Sequence, residues 1–84
     1  MAWTVYLLRC GDGTLYCGIA RDAEARLAQH QAGKGAKYTR GRGPLKLVHA
    51  EAWPTKSEAL RRERAVKRMT RAAKLALIGK AEGA

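Results

Sequence analysis

Long apolar runs are missing from this chain of 84 residues. Crossing a bilayer takes about 20 consecutive apolar residues, so no membrane span is expected. The start, Met1-Ala2-Trp3, leads straight into a strand-like pattern and does not read as a secretory leader. Cysteine is scarce: Cys10 and Cys17 are the two in the chain, too few for a disulfide framework. Both fall in predicted strands, where a reduced thiol behaves as a small hydrophobe, and neither has a histidine near it in sequence to suggest zinc. The expected setting is reduced and cytoplasmic. Repeats and linkers are also absent, so residues 1–84 should form a single domain with its core at about 3–78.

Acid is in short supply as well. Seven Asp and Glu stand against 17 Lys and Arg, a formal net charge of +10. A field of that sign attracts polyanions and speeds their encounter. From Gly33 to Leu47 the chain carries Lys34, Lys37, Arg40, Arg42 and Lys46 with no acid. From Lys56 to Lys74 it carries eight bases against Glu58 and Glu63. A basic helix can also lie on an anionic membrane, but here the bases fall all round the second helix rather than beside an apolar stripe. Nucleic acid is the partner class that the charge favours.

The apolar pattern is that of a small α+β domain. Trp3–Arg9 and Thr14–Ala20 read as strands joined through Gly11-Asp12-Gly13, a strong hairpin signal. A three-residue loop would set Leu8 opposite Tyr16 and Tyr6 opposite Gly18. Both phenols would then share a face, with open space beside Tyr6. A two-residue loop would send them to opposite faces. Asp22 is suited to cap a helix to about Ala32, with Ala23, Leu27 and Ala28 toward the core and Gly33 ending it. Residues 33–44, rich in glycine and base, read as a flexible loop. A third strand runs from Leu45 to about Ala52, stopped by Pro54. Thr55-Lys56-Ser57-Glu58 has capping-box spacing for a helix to Arg68 or Met69. A last helix, Arg71 to Ile78, would pack through Leu75 and Ile78 before Gly79 releases the tail. The order ββαβαα predicts a three-stranded sheet flanked by helices.

Glu63 stands out. Ala59, Leu60, Val66 and Met69 form the apolar stripe of the second helix, and Glu63 lies in or beside it rather than with Arg61, Arg64 and Arg68. A carboxylate there costs several kcal/mol unless compensated, by Lys67 at i+4 or by a metal ion. Helix geometry leaves both open. Arg26 and His30, four apart, share a face of the first helix. A guanidinium suits phosphate oxygens, and an imidazole can exchange protons near neutral pH. Solvent-facing polar pairs on a helix are also ordinary. His49 has no evident ionisable neighbour and reads as structural.

Taken in order, Val5-Tyr6, Tyr16-Cys17-Gly18, Arg26, His30 and Glu63 resemble the GIY-YIG nuclease superfamily. Thr4-Val5-Tyr6 stands where Gly-Ile-Tyr is usual, and Tyr16-Cys17-Gly18 where Tyr-Ile-Gly is usual. The likeness runs from Thr4 to about Ile78. It is closest to the small stand-alone bacterial branch, through Tyr38-Thr39-Arg40, Pro44, Leu47-Val48 and Glu51. It implies an endonuclease that cuts phosphodiester bonds in DNA with one Mg2+ or Mn2+. By position, Glu63 would bind the metal and Arg26 would neutralise the scissile phosphate. Tyr6 would be the general base, Tyr16 would orient water or phosphate, and His30 would assist. Lys34, Lys37, Tyr38, Arg40, Arg42, Lys67 and Lys74 would contact the nucleic acid. The chain departs from the pattern at Thr4, Cys17 and Ala20. Where many relatives carry an asparagine beyond the glutamate, Lys74 is the nearest polar residue here.

No separate specificity domain is expected, so substrate shape, or a protein partner, would choose the target, in DNA repair or recombination. The alternative is a non-catalytic nucleic-acid-binding module, for DNA or RNA, that keeps the fold for its basic face.

Overall fold

The computed structural model describes residues 2–35 and 39–79, and the backbone of 80–83. Six elements follow in the order β1 (Trp3–Arg9), β2 (Leu15–Ala20), α1 (Ala23–Gln31), β3 (Lys46–Trp53), α2 (Lys56–Arg68) and α3 (Arg71–Gly83). The fold is α+β, with one antiparallel sheet in the order β2-β1-β3. Among the described residues no helix is long and apolar enough to cross a membrane.

The hairpin closes with Cys10 N–H donating to the Thr14 carbonyl at 2.8 Å, a loop of residues 11–13. Gly13 takes φ +86°, a left-handed conformation that glycine adopts without strain. Asp12 Oδ1 accepts from the amide and the hydroxyl of Thr14, which starts the second strand one residue later than expected. The register pairs Leu8 with Tyr16 and Tyr6 with Gly18, so both phenols emerge on one side of the sheet.

The other side holds the main core. Val5, Leu7, Cys17 and Val48 pack against Ala59 and Val66 of α2 and Ile78 of α3. Fully burying a side chain the size of Val or Leu contributes about 1.5–3 kcal/mol, which makes this layer the chief source of stability. Thr55 caps α2 as expected, its hydroxyl accepting from Glu58 N–H at 3.2 Å. Asp22 caps α1 through Ala25 N–H at 3.1 Å.

Several expectations need correcting. Helix α3 continues through Gly79 to Gly83. Glycine inside a helix costs only about 1 kcal/mol, and Gly79 does not take the left-handed φ of a helix stop. Leu75 is exposed, and Leu77 packs beside Ile78 instead. On α1, Ala28 is exposed and the buried residue is His30, so this short helix seats an imidazole rather than a row of alanines.

The loop after α1 is tied down where it is described. Gly11 N–H donates to the Arg42 carbonyl, and the Arg42 guanidinium bonds Asp12 at the hairpin tip. His49 does have an ionisable neighbour. A β-bulge between Leu7 and Leu8 shifts the β1–β3 register and leaves His49 and Glu51 on the α2 side, with Nε2 2.9 Å from Glu51 Oε2. Glu51 also accepts from Trp53 Nε1 at 3.0 Å and from the Arg62 guanidinium. These three donors hold its carboxyl below the usual carboxylate range, outweighing the opposing effect of burial.

A carboxylate with a depressed folded-state pKa stabilises the fold above its unfolded pKa of about 4.3, and that stability is lost as pH falls below it. Arg62→Ala is therefore expected to lower stability by about 1–3 kcal/mol at neutral pH. The deficit should shrink as pH is lowered from about 5 toward 3, as read by thermal melts across that range.

Candidate active site

Tyr6 from β1, Tyr16 from β2, and Arg26 and His30 from α1 converge on one side of the sheet. The three rings form a cluster, with centroid separations of 6.4 Å for Tyr6–Tyr16, 6.1 Å for Tyr6–His30 and 5.4 Å for Tyr16–His30. Tyr6 is 1% exposed and His30 2%, so neither is a surface side chain. Tyr16 and Arg26 are half-buried and form the rim.

Tyr6 Oη lies 3.0 Å from His30 Nε2, and His30 Nδ1 lies 2.9 Å from Thr39 Oγ1. The Arg26 guanidinium lies near enough to the Tyr6 phenol to oppose its pKa rise, while its Nη1 donates to Gln29 Oε1 at 2.7 Å. Burial pushes that phenol up to about 12, with Tyr16 adding to the rise and Arg26 opposing it. Burial, then the charge of Arg26, pushes His30 below its ordinary range. At neutral pH the cluster therefore holds a protonated phenol against a neutral imidazole. A neutral imidazole has one N–H and one lone pair, and each can be matched by a hydroxyl here.

The space beside Tyr6 is filled rather than open. A β-carbon at Gly18 would stand 2.6 Å from Tyr6 Oη, 2.7 Å from its Cζ and 3.2 Å from Tyr16 Cε2. Glycine is needed because the phenol lies across the backbone of β2. Gly18→Ala should force Tyr6 off its hydrogen bond with His30 and cost about 1–3 kcal/mol through overpacking. A chemical denaturation series would measure that loss. An unchanged midpoint would show that the phenol has another resting place.

Glu63 is not part of this cluster. It belongs to α2, on the opposite layer, with its side chain 16% exposed and 3.3 Å from Lys67 Nζ. Its charge helps push the thiol of Cys17 up to about 11, after burial as the larger cause. Cys17 and Tyr16 are neighbours on β2, which is an edge strand. One faces Glu63 and the other faces His30, so a ligand touching both must wrap that edge.

Among the described residues no three His, Cys, Asp or Glu side chains gather as a metal cage. The single carboxylate of Glu63, on α2 beside β2, fits a hydrated magnesium ion, which keeps several waters and needs one or two carboxylates plus phosphate oxygens. It does not fit a metal requiring three or four protein ligands.

The basic residues divide between the two layers. Lys34 and Arg40 are exposed around the loop after α1. Arg40 lines a cavity of about 300 Å³ with His30, Gln31, Thr39 and Leu45. Arg42 is engaged with Asp12, and Lys67 with Glu63. Lys74 is half-buried on α3, near enough to Cys17 to lower its pKa. Lys37 and Tyr38 lie outside the described residues. Sequence reasoning missed Thr39 as the second partner of His30. A hydroxyl nine residues beyond a helical histidine gives no periodic signal, because only the loop's path brings it back.

A family model described as the GIY-YIG catalytic domain matches residues 2–76. A UPF0213 protein of Cupriavidus pinatubonensis is 55% identical over 80 residues, covering 95% of this chain and 89% of the relative. One from Halobacterium salinarum is 53% identical over 73 residues, covering 87% and 95%. The solution NMR structure of a UPF0213 protein from Bacillus halodurans superposes with a TM-score of 0.64 at 47% identity. That match covers 99% of this chain and 88% of the other.

Proposed function

Because this chain belongs to the GIY-YIG catalytic-domain family, a nuclease superfamily, we propose that it is a metal-dependent endonuclease hydrolysing phosphodiester bonds in DNA. The observation that carries this reading is the buried run Tyr6–His30–Thr39, a phenol and a neutral imidazole in hydrogen-bond sequence, with the Arg26 guanidinium beside the phenol. A packing tyrosine needs one polar partner at most. This one is held between a cation and a base.

The half-buried rim of Tyr16 and Arg26 receives the phosphate, and Arg26 neutralises charge that builds on its non-bridging oxygens. Tyr16 orients the attacking water. With its pKa pushed up to about 12, Tyr6 does not act as a standing phenolate. It takes a proton from the water while passing its own to His30 Nε2, and Nδ1–H of the resulting imidazolium donates to Thr39 Oγ1. The hydroxide so formed bonds to phosphorus as the P–O bond to the leaving strand breaks, and the leaving oxygen takes a proton from solvent. The family's divalent ion, Mg2+ or Mn2+, would be held by Glu63 together with the substrate, and it supplies Lewis-acid stabilisation of the phosphate. Glu63 and Tyr16 then address the scissile group from the two sides of the β2 edge.

Recognition rests on backbone charge and substrate shape, so branched, nicked or single-stranded DNA is favoured over a fixed sequence. A protein partner could add target choice. The setting is cytoplasmic, in repair or recombination.

Cleavage of supercoiled, branched and single-stranded DNA, with magnesium or manganese and with a chelator, tests this. Metal-dependent cutting of at least one substrate is expected. Tight binding without cutting across all substrates and both metals would instead leave a nucleic-acid-binding module built on the nuclease fold.

A further inference from the structure

Lysine and arginine lie all round α2 in sequence, but the structure sorts them. Arg62 is committed to Glu51 and Lys67 to Glu63. Arg61, Arg64 and Arg68 are exposed, and none of them enters an ion pair among the described residues. On a 3.6-residue period these three fall within about 60° of one another. Ala59 and Val66 face the sheet, so the arginine strip points directly away from it. Of the acids on the helix, Glu63 adjoins Arg64 in sequence but turns to Lys67, and Glu58 stands one turn before Arg61, in the first turn and half-buried. Like charges one turn apart destabilise a helix by a few tenths of a kcal/mol per pair. A merely solvated face would relieve that with interspersed acids along its length, and none lies on this face between Arg61 and Arg68.

The strip also has an anion's dimensions. Arg61 to Arg68 spans about 10 Å of helix, against about 3.4 Å of axial rise per phosphate on one DNA strand, so it covers roughly three phosphates. Guanidinium forks suit phosphate oxygens. Ser57 and Ala65 accompany the arginines, not the large apolar side chains that a membrane-binding helix needs.

We infer that the outer face of α2 is a second DNA-backbone site, turned away from the Tyr6–His30 cluster, so that one molecule can hold two DNA segments. The strip's own binding stands apart from the proposed activity. The bridging consequence rests on the tyrosine face also taking DNA.

The test uses the full chain, a short duplex as probe, and the variant Arg61→Gln/Arg64→Gln/Arg68→Gln. Glutamine keeps helix propensity close to that of arginine. Undisturbed NMR signals from Tyr6, Tyr16 and His30 would confirm that the variant is folded. In the wild type, duplex addition should shift the side-chain Nε–H signals of Arg61, Arg64 and Arg68. In the variant, the log–log salt slope of binding should become shallower by about 2–3. Energy transfer between two differently labelled duplexes should be present with the wild type and lost with the variant. Arginine signals on α2 that stay put while the tyrosine face shifts would overturn the inference, as would an unchanged slope. Shifts confined to α2 would uphold the strip and instead remove the tyrosine face as a DNA site.

Discussion

Replacing Glu63 by glutamine should lower metal-dependent cleavage by about 10²–10³-fold, the scale of losing one well-placed electrostatic stabiliser of a charged transition state. Glutamine keeps the shape and helix propensity of glutamate and removes only the charge. The ion pair with Lys67 is an i,i+4 contact on a helix, worth about 0.2–0.5 kcal/mol, so the melting temperature should barely move. Two readouts do not depend on turnover. Broadening of signals near Glu63 by Mn2+ should be lost, because the variant removes the proposed ligand. The thiol of Cys17, raised partly by the Glu63 charge, should titrate at lower pH and react faster with an alkylating probe. Cleavage equal to that of the wild type would remove Glu63 from the metal's coordination, and with it the reason for its place beside the apolar stripe.

Glu63 also shows what the sequence makes legible and what it hides. Its offset from the solvated face of α2 follows from helix periodicity, because Ala59 and Val66 fix which way the helix turns. The layer on which α2 packs is a tertiary fact, so spacing alone did not reveal that Glu63 approaches β2 from the side opposite the tyrosines. The hairpin is legible for a related reason. Once a loop of 11–13 is chosen, pleat alternation sets Tyr6 against Gly18 and leaves no freedom. What alternation does not specify is how far a side chain leans, and Tyr6 fills the space that Gly18 was expected to leave open. His30 is legible as a helical neighbour of Arg26 and illegible as a buried base. Its burial depends on Thr39 and on a loop path with no period to read. The His49–Glu51 contact was within reach, since i and i+2 on a strand share a face. The bulge that orients the pair was not.

Tyr6→Phe probes the buried end of the proton path. The loss of a positioned acid–base group lowers turnover by about 10²–10⁴-fold, and Tyr6 is the proposed link between the attacking water and His30. The variant leaves His30 Nε2 without its partner. An unpaired buried polar group costs about 1–3 kcal/mol, so folding stability at neutral pH should fall by that order. The pH dependence separates this from simple packing loss. A phenol with a folded-state pKa near 12 against about 10 unfolded contributes stability that is fully present below pH 10 and lost as pH rises toward 12. The wild type should lose that advantage over the window, and Tyr6→Phe, having no phenol there, should not. The two denaturation curves are therefore expected to converge between about pH 10 and 12. His30 gives the opposite limb. Its pKa lies below the ordinary histidine range, so the neutral form that accepts the proton persists through pH 7. Wild-type cleavage should fall only when the medium becomes acidic enough to protonate His30. Unchanged turnover in Tyr6→Phe would take the proton path away from this phenol and leave Tyr16, on the rim, as the tyrosine that meets the water.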